Sequence, residues 1–143
     1  MDISTVKIKD TTVIDEFYDP AGDLIIDEYT GKPVTIEIFG AESDQFRKMI
    51  AKRIRAEQIK NKGKRKREDE PVTDESLAKA RKEGLQTLAE CTVAWTGFYR
   101  NGDELACTVE NAIALYEAAP FIRKQVDAAM GDESAFFEKQ PSS

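Results

Sequence analysis

Between Lys60 and Pro71 the chain reads KNKGKRKREDEP, with one glycine, one proline and no apolar side chain. Such a segment has nothing to bury and cannot run through a hydrophobic core, so it reads as a solvated, mobile linker. A fold must therefore be assembled from the stretches on either side. The charge follows the same division. Residues 1–41 carry three basic and nine acidic side chains, residues 42–67 eleven and three, and residues 68–143 seven and fifteen. The three blocks thus have net charges of −6, +8 and −8, the pattern of segments with different roles.

The first block reads as β structure. Val13–Tyr18 is a β-prone run ended by the turn Asp19-Pro20-Ala21-Gly22, and Leu24–Tyr29 offers a second run before Thr30-Gly31-Lys32-Pro33. Val34–Phe39 then alternates apolar and polar residues up to Gly40. A meander of two or three strands is expected here, too small to stand without a covering helix or partner. Ser43 is placed to cap a helix in which Phe46, Met49, Ile50 and Ile54 form a narrow apolar stripe on a strongly basic background. Beyond the linker, Thr73 or Asp74 opens a second helix with Leu77, Leu85, Leu88 and Ala89 on one side and Gly84 in its interior, running on into Cys91–Trp95. Asn101-Gly102 marks a turn, Thr108 a cap, Pro120 a first helical position and Gly131 a stop. The expectation is an α+β protein: a β-meander and amphipathic basic helix over 1–59, a charged linker over 60–72, an all-helical domain over 73–138 and a frayed tail over 139–143. Leu85, Leu88, Trp95, Phe98, Ile113, Tyr116, Ile122, Val126 and Phe136 form the expected helical core.

Several absences bear on function. The chain of 143 residues contains no histidine, no CxxC pair, no glycine-rich phosphate loop and no GxSxG elbow. These point away from catalysis and from any cofactor or metal. Asp23, Asp27, Glu28, Asp132 and Glu133 lack the spacing of a calcium loop and read as solvated charge. No apolar run approaches the ~20 residues of a membrane span, and the N-terminus lacks the pattern of a signal peptide. A cytoplasmic protein is expected, with Cys91 and Cys107 as free, mostly buried thiols. The Trp95–Tyr99 cluster reads as core before it reads as a recognition surface. The basic run 52–67 reads first as a solvated segment and next as a protein contact. Nucleic acid comes last, because the run has no aromatic residue to stack on bases. Phe46, Met49, Ile50 and Ile54 are the candidate partner-binding residues, although on physical grounds alone packing against the small sheet is the stronger reading.

The order of motifs adds a second line. Trp95-Thr96-Gly97-Phe98, Asn101-Gly102, Thr108–Ala112, Leu115-Tyr116, Ala119–Ile122, Gln125-Val126 and Phe136 resemble the C-terminal pattern of tail assembly chaperones from long-tailed bacteriophages, the lambda-like family that binds tape measure proteins. Asp19-Pro20, Thr30-Gly31, Ile36–Ile38 and Gly40–Asp44 followed by Phe46-Arg47 resemble its N-terminal half, so that only the basic linker diverges. The resemblance implies a non-enzymatic protein of the host cytoplasm that binds the tape measure protein, keeps it soluble and helps deliver it to the growing tail tube. It leaves open contact with the tail tube protein, self-association and a longer frameshifted form. Two other readings stay open beside it: a minor structural tail protein of the virion, and a small nucleic-acid-binding regulator using residues 52–67.

Overall fold

The computed structural model describes residues 2–60 and 73–136, and it is α+β. Three strands, β1 (Thr11–Ile14), β2 (Thr35–Phe39) and β3 (Thr92–Thr96), form an antiparallel sheet in the order β1-β2-β3. The alternation read in Val34–Phe39 has a direct outcome. Ile36 and Ile38 are completely buried on one face of β2, while Thr35, Glu37 and Phe39 point the other way and stay partly accessible. Ile14 and Trp95 flank Ile36 on that inner face. A register shift between Glu37 and Ile38 leaves Val93 unpaired, a bulge that lets both Trp95 and Thr92 lie beside the inward residues of β2.

Helices cover this inner face. After α1 (Asp44–Lys60) and α2 (Asp74–Glu90) come α3 (Val109–Ala118), α4 (Pro120–Met130) and a last turn, α5 (Glu133–Phe136). Thr73 caps α2 in a reciprocal box with Ser76, Thr108 caps α3 through the Asn111 N–H, and Pro120 stands at the start of α4. One hydrophobic cluster joins Phe17, Val34, Ile36 and Ile38 to Leu85, Leu88, Ala112, Tyr116, Ile122, Val126 and Phe136. Both sides of the 61–72 stretch therefore contribute to a single core. Phe136 closes one end: its ring lies so near Gly40 that a Cβ there would come within 2.9 Å, and its carbonyl accepts from Lys9 N–H at 2.7 Å. At the other end the Gln125 amide accepts from Tyr18 N–H at 3.0 Å and donates to Tyr18 C=O at 2.9 Å, pairing with the loop as a neighbouring strand would.

Tyr116 ties helix to sheet. Thr92 Oγ1 donates to Leu88 C=O at 2.8 Å, so its one proton is spent, and the 2.6 Å contact with Tyr116 must run from the phenol to the threonine. Burial pushes the Tyr116 phenol up to about 12. The Cys91 thiol is likewise raised, to about 11, chiefly by burial; Cys91 and Cys107 are both free.

Two expectations need correction. Residues 91–95, read as the run-out of α2, are instead a one-residue joint followed by β3, so the C-terminal part is not purely helical. Thr92, Val93 and Trp95 are strand formers, and Thr92 folds its hydroxyl back onto Leu88, ending the helix. The N-terminal half supplies two ladder strands, the lower of the two numbers expected. Tyr18–Leu24 and Ile26–Pro33 make isolated bridges rather than a further strand. Leu77, grouped with Leu85 and Leu88, is 58% exposed. The short hairpin of β4 (Tyr99–Arg100) and β5 (Asp103–Glu104) does turn at Asn101-Gly102, both with positive φ as a tight hairpin requires. The linker, from residue 61 on, and the tail beyond Phe136 lie outside the described residues.

Two stability outcomes follow. Gly84 sits in α2 with open space around the position of a Cβ, so Gly84→Ala should raise the unfolding free energy by about 0.5–1 kcal/mol in urea titrations. Because folding raises the Tyr116 pKa, its neutral form is favoured in the native state; stability should hold below about pH 10 and fall as pH rises toward 12. Tyr116→Phe should flatten that alkaline decline.

Candidate functional site

The candidate residues all lie on α1, and the helix starts where the sequence places it. Ser43 is buried; its Oγ accepts from Phe46 N–H at 3.1 Å and donates to Gly40 C=O at 2.7 Å. From that fixed start, helical geometry sets Phe46, Met49, Ile50 and Arg53 on one face. These four are partly buried, whereas the other described side chains from Ala51 to Ile59 are exposed. Ile54 lies on the flank at 51% exposure and Ile59 reaches 77%. No described side chain of α1 is fully buried, and none belongs to the hydrophobic core or to the half-buried apolar residues packed on it.

Arg53 holds this face to the body. Its guanidinium donates to Thr87 Oγ1 and, at 3.1 Å, to Glu90 Oε2; Gln86 donates to the other Glu90 oxygen at 2.8 Å. The carboxylate is thus oriented before the arginine reaches it. Thr87 in turn donates to Glu83 C=O, which leaves its lone pairs for Arg53. The contact is a fork on the last turns of α2, and the helix that carries it touches the body beside that fork with Phe46, Met49 and Ile50 only partly covered. The stripe is therefore divided: its first three apolar residues flank the Arg53 anchor and Ile54 stands outside it. Sequence reasoning missed Arg53, whose position seven residues after Phe46 was the available signal.

The first half of α2 is similar in kind. Every residue from Thr73 to Gly84 is exposed, and Leu77, Ala78 and Leu85 line an open groove edged by Lys79, Arg81, Lys82, Glu75 and Glu117. The part of α1 after Arg53 and the part of α2 before Leu85 both project beyond the core, on either side of the 61–72 stretch.

The acidic residues weighed as a metal site behave differently from one another. Asp27 is buried rather than solvated: it accepts from Tyr29 N–H at 2.9 Å and from Tyr99 O–H at 3.0 Å, and the Tyr29 N–H foremost holds its carboxyl below the usual range. It ties the 27–32 turn to the β4–β5 hairpin, with the Tyr29 and Tyr99 rings 4.5 Å apart. No group of three metal-capable side chains occurs among the described residues. Trp95 sits at the edge of the core, its indole N–H donating to Leu105 C=O at 2.8 Å and its ring edge-on to Phe98. No helix among the described residues is long and apolar enough to cross a membrane.

No family model, curated protein or solved structure matches this chain.

If Arg53 is the anchor, Arg53→Ala should speed amide exchange along α1 by about tenfold or more while leaving β2 and α4 unchanged. Unaltered rates in α1 would mean that Phe46, Met49 and Ile50 hold the helix by themselves.

Proposed function

We propose that this protein is a tail assembly chaperone: a non-enzymatic binder of a long helical tape measure protein, acting in the cytoplasm of a phage-bearing cell. One observation carries the reading. The core is complete without α1, yet α1 retains Phe46, Met49, Ile50, Ile54 and Ile59 along its length. A helix that serves only as a solvated spacer has no use for five large apolar side chains, whereas a helix that lends its flank to a partner does. The order of motifs described above supports the same assignment. A chaperone of this kind covers apolar helix faces until assembly consumes them, which requires a surface that binds reversibly and no chemistry at all.

The exposed first half of α2 offers one helix surface, and the flank of α1 would give the partner its seat. The partly covered residues Phe46 and Ile50 lie at its base, and Ile54 and Leu77 are already open to solvent. Met49 adds an adaptable side chain suited to a partner with imperfectly repeated helices.

Co-expression with the tape measure protein of the same phage should render that protein soluble and allow it to be recovered with this chain. Phe46→Ala with Ile50→Ala should reduce the recovered partner by about tenfold, with a smaller loss of thermal stability than a core truncation such as Ile38→Ala. Purified mature particles should lack the protein. Its presence in them at fixed stoichiometry would instead identify a structural tail component.

A further inference from the structure

α1 has a second face. Lys48, Lys52, Arg55 and Ile59 follow one another at helical spacing and are all exposed, on the side of the helix opposite Phe46, Met49 and Arg53. The ion pairs of this region are Arg47 with Glu42 and Arg53 with Glu90. Lys48, Lys52 and Arg55 have no acidic partner among the described residues. Within a chain of net charge −6, an unneutralised cationic ridge ending in a 77% exposed isoleucine is out of keeping with the rest of the surface.

We infer that the outward ridge Lys48–Lys52–Arg55–Ile59 is a docking surface for an acidic amphipathic helix of the partner protein. The inference rests on the chaperone reading for the partner's name but not for its chemistry. Charge complementarity selects carboxylates along the partner's flank, since three cations spaced over two turns match Glu or Asp at the same helical spacing. The apolar end selects protein over nucleic acid. Ile59 gains by burial against another apolar side chain, and the ridge offers no aromatic ring for a base. The two faces of α1 then have separate tasks: Arg53 fixes the helix to the body beside the apolar flank of Phe46, Met49 and Ile50, and the opposite ridge adds a charged contact to the partner.

The test uses the full chain and a labelled synthetic peptide of ~20 residues, with leucine at the contact positions of a helix and glutamate on its flanks. This peptide should bind, with affinity falling about tenfold or more between ~50 and ~300 mM salt. A matching peptide with lysine for glutamate should not bind. Lys48→Glu, Lys52→Glu and Arg55→Glu combined should abolish binding while circular dichroism and the thermal midpoint stay as in the parent, because all three side chains are exposed. Equal binding by the reversed variant, or binding of a single-stranded or duplex oligonucleotide in preference to the acidic peptide, would overturn the inference. The tape measure protein separates the two claims. Its capture by the charge-reversed variant as well as by the parent sinks the ridge and keeps the chaperone; binding of the acidic peptide without capture of the tape measure protein does the reverse.

Discussion

β2 cannot be buried by its own half of the chain. Ile36 and Ile38 project from one face of a strand whose nearest sequence neighbours supply a single further ladder strand, β1, and a set of turns. Their cover comes from β3, α3 and α4, and Thr35 and Thr96, which face each other across the β2–β3 pair, stand 61 positions apart. Closing so long a loop costs entropy that grows only slowly with its length, and burying two isoleucines, Val34 and Phe17 at once offsets it. Everything else in the body is arranged around that closure. The bulge at Val93 sets Trp95 and Thr92 beside Ile36 and Ile38, Thr92 receives Tyr116, and the joint at Cys91 aims β3 directly out of α2.

Much of this architecture is legible in the residues. Ser43, Thr73 and Thr108 as caps, Pro120 as a helix start, Asn101-Gly102 as a turn and Ile36/Ile38 as an inward pair all rest on local chemistry that the surroundings do not override. Seven of the nine expected core residues are buried, and Trp95 and Ile113 pack against them half-covered. What the sequence conceals is long-range. Residues 92–96 follow a helix with no glycine to stop it, so their strand identity depends on β2 being there to pair with. Asp27 looks like any surface carboxylate until the Tyr99 hydroxyl reaches it across 72 positions. The face on which α1 rests is hidden for the same reason, since Glu90 and Thr87 become partners of Arg53 only once α2 is in place.

The candidate site shows how a helix can belong to a protein without belonging to its core. α1 is pinned by a capped start and one arginine fork, and its remaining length is free of the constraints that close packing imposes. Apolar residues there can be selected for what they meet outside the molecule. Cationic residues on the opposite face can be selected independently, because neither set belongs to the hydrophobic cluster that covers the sheet.

The ring of Phe136 over Gly40 ties the fold to the direction of synthesis. β1, β2 and Gly40 are translated early, and the residue that seals them is made on the order of ten seconds later at ~5–20 residues per second. Ile36 and Ile38 wait for β3, α3 and α4 to follow, and Gly40 waits longer still for its partner. The contact that closes one end of the core is therefore among the last that the described chain can make, long after the strands it seals have left the ribosome.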